Sequence, residues 1–178
     1  LQDTDGSYRP FSFIALGGSS HGSLLEGHGY TYSGGTWGQI VNILVSSKCM
    51  NPIIFIDELD KVSKTEHGKE IIGILIHLTD HSQNDTFSDR YFADIPLDLS
   101  KAIFIFSYND IYNIDPILRE RIHRIQFTHF RHEEKCVICK EYILPKLYQT
   151  VGLSDEDVIL NDDVLLYIIK NYTFFFMS

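Results

Sequence analysis

The sequence has 178 residues, of which 44% are hydrophobic and 22% charged, so it predicts a globular protein rather than a disordered one. Its formal net charge of −9 disfavours nucleic acid as a partner, because nucleic-acid domains usually carry a basic face. It contains no apolar stretch near the roughly 20 residues that a membrane helix needs, so we expect no membrane partner.

Two elements are predicted before residue 50. A strand is predicted over Phe11–Leu16, where a short alternation of apolar and polar residues ends at a pair of glycines. Residues Gly17–Gly38 are rich in Gly, Ser, His and Tyr, with little apolar periodicity, and predict a long, exposed, functional loop. Thr36 is the predicted cap of a helix whose apolar residues recur at helical spacing: Trp37, Ile40, Val41, Leu44 and Val45.

The chain is organised around an apolar run that ends in two adjacent acids. Ile53–Ile56 lacks polar alternation, as expected of a parallel strand buried on both faces. Asp57 and Glu58 follow at its carboxyl end, where open α/β sheets place their ligands. Such a pair is typical of the Walker B motif, in which the first acid holds Mg²⁺ and the second activates water. The alternative for this run alone is a strand capped by solvated acids.

The middle of the chain continues the alternation of strands and helices. A polar segment, Ser63–Gly68, precedes a predicted helix over Lys69–Leu78, and a hairpin or loop excursion is predicted between Asn84 and Asp98. Ala102–Phe106 then predicts another buried strand. This alternation favours an α/β fold with a doubly wound parallel sheet.

The last third of the chain is predicted to be mainly helical. A short helix begins at Asn113 or Asp115 and runs through Arg121, and Arg124–Phe127 is predicted as one more edge strand. Two longer helices follow, over Arg131–Tyr148 and after Asn161. We therefore predict an α/β core over residues 1–129 and the start of a helical lid over residues 130–178.

Three cysteines, Cys49, Cys136 and Cys139, form an odd set whose spacing does not suggest a disulfide framework. They suit a reducing, intracellular compartment. Cys136 and Cys139 have the spacing of half a zinc knuckle, but no second pair follows, and their neighbours have helical periodicity. A helix is the favoured interpretation of this segment.

Four strings resemble, in the same order, the ATPase module of the Lon family of ATP-dependent proteases, which are AAA+ ATPases. The most specific is the Gly-His-x-x-Thr-Tyr-x-Gly string that begins at Gly27. The others are Asn51–Lys61, Gln83–Tyr91 and Asp98–Lys101. The resemblance runs from residue 10 to residue 173 and implies a P-loop AAA+ core without its first strand, followed by the start of an α-helical lid.

The resemblance implies roles for four residues of an ATP-hydrolysing site. Asp57 matches the acid that binds Mg²⁺, through water, and Glu58 matches the base that activates the attacking water. Asn109 matches sensor 1, an amide that orients this water, although an Asn-Asp turn is the alternative. Arg121 matches the arginine finger that reaches a neighbouring subunit's nucleotide, with Arg119 as its rival and a solvated helix arginine as the alternative.

The resemblance also implies a substrate loop and partners. Tyr32 matches the aromatic pore loop that grips a polypeptide, and Ser63–Gly68 matches a second pore loop. The implied cofactors are ATP and Mg²⁺, and the implied partners are unfolded protein substrates and other subunits of a homo-oligomeric, hexameric ring. Hydrolysis would drive unfolding and threading in an intracellular Ser-Lys protease, in the cytoplasm or alternatively the mitochondrial matrix. The alternatives are a remodeller without a protease and a non-hydrolysing scaffold.

The sequence also departs from the Lon pattern. It contains no Gly-x-x-x-x-Gly-Lys-Ser/Thr phosphate loop, no counterpart of the sensor 2 arginine and no Ser-Lys protease domain. It begins at Leu1 rather than methionine and ends in the apolar run Phe174–Ser178. We therefore expect a fragment that is inactive alone and poorly stable, because one sheet edge is exposed and the last strand lacks its neighbour.

Overall fold

The computed structural model describes residues 8–17, 21–31, 33–62, 64–93, 95–153, 158 and 160–172. The chain divides into two compact units, Leu1–Arg124 and Ile125–Ser178. The sequence-based boundary between residues 129 and 130 stays a prediction. In the part of the chain that is described, no helix is both long and apolar enough to cross a bilayer.

The described residues of the first unit contain five strands, which form a three-stranded parallel sheet and a small hairpin. The strands are β1 (Phe11–Ala15), β2 (Ile53–Asp57), β3 (Phe87–Ser88), β4 (Pro96–Leu97) and β5 (Ile103–Phe106). The parallel sheet has the order β1-β2-β5, and β3 pairs with β4 in antiparallel fashion. In the register of the sheet, Ile56 lies between Ile14 and Phe106. The predicted α/β class with a parallel sheet and the predicted hairpin are confirmed.

The two faces of the parallel sheet have different environments. Ile14, Ile54 and Ile56 are buried in one hydrophobic core. On the opposite face, the ring of Phe55 lies 5.8 Å from that of Phe13 and 6.1 Å from that of Phe11, and both of these partners are exposed. The prediction that β2 is buried on both faces is therefore wrong for the described part of this unit, because aromatic rings rather than a helix lie beside Phe55.

In the described part of the first unit, four α-helices accompany the strands. They are α1 (Ser23–Glu26), α2 (Gln39–Ser47), α3 (Glu66–Thr79) and α4 (Pro116–Arg121). Helix α3 begins earlier than predicted because the Thr65 side chain accepts a hydrogen bond from the Gly68 N–H. The Asp115 carboxylate caps α4 by accepting from the Ile117 N–H at 2.9 Å. Apolar residues of α2 and α3 fill the core beneath the sheet, including Ile40, Ile43, Ile71, Leu75 and Leu78.

Two predictions for the Gly-rich segment before α2 are wrong. Thr36 does not cap α2, which begins after Gly38 without a side-chain cap. The Thr36 carbonyl instead accepts a hydrogen bond from the His28 N–H at 2.9 Å, so this residue closes a loop. The segment is also not wholly exposed, because α1 places Leu25 fully in the core. The adjacent apolar residues Leu24 and Leu25 were too short a run to predict this helix.

The predicted edge strand over Arg124–Phe127 is also wrong, since these residues form neither helix nor strand. A strand needs a neighbour that supplies a ladder of backbone hydrogen bonds. Strand β5 is the outermost strand of the parallel sheet on one side, so no described strand lies between it and Arg124–Phe127 to supply that ladder.

The described residues 132–151 and 162–172 of the second unit are helical. They form α5 (His132–Ile138), a π-helical turn over Cys139–Ile143, α6 (Leu144–Val151) and α7 (Asp162–Tyr172). The two predicted helices are confirmed. The wide turn directly precedes α6, whose first turn contains Pro145, and proline has no N–H for a regular helical bond. Cys136 and Cys139 lie half-buried on this helical stretch, and burial raises the pKa of the Cys139 thiol.

Candidate active site

The carboxyl ends of β2 and β5 bring an acid and a hydroxyl together. Asp57 is the last residue of β2, and Ser107 directly follows β5. The Ser107 hydroxyl donates a hydrogen bond to Asp57 Oδ1, and the same oxygen accepts from the Glu58 N–H at 3.0 Å. The Glu58 N–H also lies 3.3 Å from Ser107 Oγ. These contacts hold the Asp57 carboxylate in one orientation at the edge of the sheet.

Glu58 has an unusual backbone conformation. Its φ of 58° and ψ of 43° lie in the left-handed region, which costs a non-glycine residue about 1–2 kcal/mol. The turn carries its carboxylate over Gly17, the residue that follows Leu16 after β1. A Cβ atom placed on Gly17 would lie 1.6 Å from Glu58 Oε2. The glycine therefore leaves room for the carboxylate, which lies at the same edge of the sheet as Asp57.

A buried acid ties the loop of Asn109 to the turn after β2. The Asp60 side chain is fully buried, and its Oδ1 accepts from the Asn109 N–H at 3.3 Å. Its Oδ2 lies 3.1 Å from the Lys61 ammonium. Burial opposes ionisation of Asp60, but Lys61 and the Asn109 N–H outweigh it, so its pKa lies below the usual value. Asp57, Glu58 and Asn109 are thus joined through adjacent contacts at one edge.

Arg121 lies apart from these contacts in the described residues. It ends α4, and its Nη1 lies 2.8 Å from Asp80 Oδ2, just after α3. Hydrogen bonds from the Ser82 hydroxyl and N–H lower the pKa of Asp80 to about 2, with a smaller contribution from Arg121. Its rival Arg119 lines an open cavity of about 300 Å³ together with Tyr108, Ile111, Tyr112, Ile114, Ile122 and Arg124. The choice between the two arginines stays a prediction.

The predicted pore loops are only partly described. Tyr32 lies outside the described residues, as does Ser63, the first residue of the predicted second pore loop. The end of that second segment, Glu66–Gly68, belongs to α3 rather than to a loop. The assignment of Tyr32 stays a prediction.

Sequence reasoning did not assign three residues that shape this site. Ser107 contacts the Asp57 carboxylate, and Asp60 contacts the Asn109 backbone. Gly17 leaves space for the Glu58 side chain. Ser107 has a signal in the sequence, because it directly follows Ala102–Phe106, which is predicted as a buried strand. Asp60 lies in the string that carries the resemblance, but its burial and its contact with Asn109 are visible only in the structure.

The oxygen atoms at this edge suit a hard cation. Mg²⁺ takes oxygen ligands, keeps several waters and is usually bound by one or two carboxylates with phosphate oxygens. The Asp57 carboxylate, fixed beside the Ser107 hydroxyl, matches that donor set. In the described residues, no cluster of three or more His, Cys, Asp or Glu side chains has the arrangement of a metal cage. The residues present therefore fit Mg²⁺ held through water and phosphate.

Comparison with known proteins gives one family and a consistent group of relatives. Residues 10–130 match the model of the ATPase family associated with various cellular activities (AAA). The chain is 39% identical over 160 residues to a Lon protease of Campylobacter concisus, covering 90% of this chain and 20% of that protein.

Two further relatives come from distant sources. A Lon protease homolog of Acanthamoeba polyphaga mimivirus is 37% identical over 165 residues, covering 92% of this chain and 16% of that protein. A mitochondrial Lon protease homolog of Drosophila melanogaster is 34% identical over 164 residues, covering 92% of this chain and 16% of that protein. The chain thus spans a fifth or less of the length of these relatives.

Proposed function

Because the chain belongs to the AAA family of ATPases and its module is of the Lon type, we propose that it hydrolyses ATP within a Lon-like ATP-dependent protease. Membership of this family implies that a nucleotide is its cofactor. The proposal is carried by one observation, the convergence of Asp57, Glu58 and the Asn109 loop at the carboxyl edge of a parallel sheet. Ligands of open α/β folds bind at that edge.

The first proposed role is that of Asp57 in holding Mg²⁺ through water. Ser107 and the Glu58 N–H orient the Asp57 carboxylate before any ligand arrives, so little rearrangement is needed on binding. Mg²⁺, when bound, would offset charge on the phosphates. Asp57→Asn should therefore weaken Mg²⁺-dependent nucleotide binding.

The second proposed role is that of Glu58 as the base for the attacking water. Its carboxylate is exposed at the sheet edge and lies over Gly17, after a left-handed turn. Asn109, whose backbone is held by Asp60, would present its side-chain amide to the same water. A scaffold that never hydrolyses ATP would need none of these residues, so their joint presence disfavours that alternative.

We extend the proposal to a homo-oligomeric ring, with six subunits. Arg121 would act as an arginine finger on the neighbouring subunit's nucleotide, which requires it to leave its ion pair with Asp80. Tyr32, in the Gly-rich loop, would grip unfolded protein substrates in the pore, because an aromatic ring makes mainly non-directional contacts. We place the protein inside the cell, in the cytoplasm, with the mitochondrial matrix as the alternative.

The hydrolytic role is tested by Glu58→Gln in the full-length protein that contains this module. Glutamine keeps the size of the side chain but cannot accept the proton, so we expect ATP to bind while turnover falls by about 10²–10⁴-fold. Glu141→Gln, at an exposed glutamate of the second unit, is the matched control and should keep parental turnover. A full-length protein that never hydrolyses ATP would instead support the scaffold alternative.

Threading is tested by Tyr32→Ala, with Tyr30→Ala as the neighbouring control. ATP turnover and loss of a folded fluorescent substrate are followed in parallel. We expect the amount of substrate unfolded per ATP to collapse for Tyr32→Ala and to change less for Tyr30→Ala, which lies outside the Tyr-x-Gly match. An unchanged ratio for Tyr32→Ala would show that the Gly-rich loop has another task.

A further inference from the structure

The Gly-rich loop between α1 and α2 has a closed base. The His28 N–H donates to the Thr36 carbonyl at 2.9 Å, which brings the two ends of the loop together. Gly38 packs so closely on the end of α1 that a Cβ atom there would lie 2.0 Å from the Leu25 carbonyl oxygen. Gly27 has a φ of 74°, which allows the chain to leave α1 toward the loop. The loop therefore leaves and rejoins the unit at one narrow point.

The turn of the β3–β4 hairpin contacts the second end of this loop through Asp89. The Asp89 side chain is fully buried, and its Oδ2 accepts from the Gly38 N–H at 2.8 Å. Its Oδ1 accepts from the Tyr91 N–H at 2.9 Å. A buried carboxylate is costly unless hydrogen bonds offset the lost hydration, so this acid strongly favours one position of Gly38. Phe87 of β3, also fully buried, holds the hairpin in the core.

Arg90, the next residue of the hairpin turn, contacts the first end of the loop. Its N–H donates to the Glu26 carbonyl at 2.8 Å, and its Nε lies 3.1 Å from Glu26 Oε2. Its Nη2 forms an ion pair with Glu70 of α3. Glu70 in turn accepts from the Gly22 N–H at 3.3 Å, before α1. One guanidinium thus links the end of α1, the hairpin and the longest helix of this unit.

Three aromatic rings extend the same junction. Trp37 stacks on Phe92 at 6.0 Å between ring centroids and meets Tyr91 edge-on at 5.7 Å. Trp37 precedes Gly38 in the chain, and the other two rings follow Arg90. The rings therefore report directly on whether the loop base and the hairpin turn remain in contact.

We propose that Asp89 and Arg90 are positioning residues that anchor both ends of the Gly-rich loop to the β3–β4 hairpin and α3. The inference rests on the proposed function, in which this loop handles the polypeptide substrate. A loop that pulls on a substrate must transmit force to a rigid body. A loop whose two ends are not anchored would bend instead. The contacts of Asp89 with Gly38 and of Arg90 with Glu26 supply that body at the two ends of the loop.

The geometric part of the proposal is tested in the 178-residue chain by acrylamide quenching of Trp37, its single tryptophan. For Arg90→Ala we expect the quenching constant to shift toward that of the urea-unfolded chain, while the far-ultraviolet circular dichroism stays parental. Lys69→Ala is the matched control. It removes an exposed ion pair with Glu66 on α3, the helix that also carries Glu70, and it makes no change in the loop. Parental quenching in Arg90→Ala would overturn the proposal.

Glu26→Gln keeps the proposal falsifiable if Arg90→Ala does not fold. Burial raises the pKa of Glu26 even beside Arg90, so a neutral side chain of the same size suits this place. The Arg90 ion pair with Glu70 is kept, and only the link to the loop is weakened. We expect quenching of Trp37 to rise, and an unchanged quenching constant in this folded variant would overturn the anchor.

The functional part is tested in the full-length protein by measuring the substrate unfolded per ATP hydrolysed. We expect this ratio to fall in Arg90→Ala, to recover in part in Arg90→Lys, and to stay parental in Lys69→Ala. A purely structural defect would lower ATP turnover and unfolding together and leave their ratio unchanged, which would overturn the positioning role. Raised quenching with a parental ratio would keep the anchor but overturn the loop's role in the proposed function, so the two failures are distinguishable.

Discussion

Gly17 shows how one missing side chain shapes the candidate site. Its position would place a Cβ atom against the carboxylate of Glu58, a flexible side-chain end rather than backbone. The fold can therefore accept a methyl group there by moving Glu58, so the cost falls on the position of the proposed base. Stability and activity should separate at this residue.

We predict that Gly17→Ala in the full-length protein lowers ATP turnover while the free energy of unfolding changes little. Displacement of Glu58 Oε2 removes the proposed base from its place over Gly17, so the loss should approach that of Glu58→Gln. Turnover is measured at saturating ATP, and unfolding by urea titration. Parental turnover in Gly17→Ala would mean that Glu58 works from another rotamer.

Asp80 allows a prediction for the dependence of stability on pH. Its pKa of about 2 in the folded chain lies below the ordinary value of 3.8. The ionised carboxylate therefore stabilises the fold above pH 3.8, and this contribution is lost as the pH falls through about 2. Asp80→Asn should destabilise the chain at about pH 5, and its difference from the parental chain should narrow as the pH falls toward about 3.

Urea titration at several pH values measures this difference. Asp85→Asn, at an exposed aspartate nearby, controls for the loss of one negative charge. A stability difference between Asp80→Asn and the parental chain that is constant from about pH 5 to about pH 3 would contradict the assigned hydrogen bonds.

At the scale of elements, α3 combines several tasks. Thr65 caps its start, Glu70 meets Arg90 on its side, and Asp80 at its end meets Arg121. Its buried residues fill the core under the parallel sheet. The helix therefore contacts the anchor of the Gly-rich loop and the proposed arginine finger, and it begins shortly after the turn that follows the acids. A less stable helix should disturb all three.

We predict that Gly73→Ala stabilises the chain by about 0.5–1 kcal/mol, because glycine inside a helix costs backbone entropy. Gly73 is exposed, and a Cβ atom there meets no atom within 4 Å, so no contact opposes the gain. Gly38→Ala is the opposing variant and should destabilise, since its Cβ atom would collide with the Leu25 backbone. Both are measured by denaturant unfolding, and a destabilised Gly73→Ala would contradict the described helix.

At the scale of the whole molecule, the described site provides the acids proposed for hydrolysis but no cradle for phosphates. The 178 residues contain no Gly-x-x-x-x-Gly-Lys-Ser/Thr string, and the net charge is −9. Backbone N–H groups and a lysine normally hold the phosphates of a nucleotide in this class. The acids at the edge of the sheet would repel those phosphates without such a cradle.

We therefore predict that the 178-residue chain alone neither binds MgATP at micromolar concentration nor hydrolyses it. Titration calorimetry with MgATP measures binding, and release of inorganic phosphate measures turnover. A full-length protein with a phosphate loop before this module is the positive control. Tight binding of MgATP by the chain alone would mean that other residues replace the cradle.

The sequence by itself determined most of the local elements and the family of the chain. The buried strands, the acids that end β2 and most helices follow from periodicity and capping, which depend on residues only a few positions apart. The strings around Gly27 and Asp57 pointed to the family, and the family match confirms this. The strand over Arg124–Phe127 could not be judged in this way, since a strand exists only when a partner lies beside it.

Only the tertiary structure decided which of these residues meet. Ser107 contacts Asp57 across 50 residues, and Asp89 contacts Gly38 across 51. No local pattern encodes such contacts, because they follow from the order of strands in the sheet and from the packing of the hairpin on the core. The structure likewise placed Glu58 over Gly17, where space rather than sequence pattern determines how the proposed base is held.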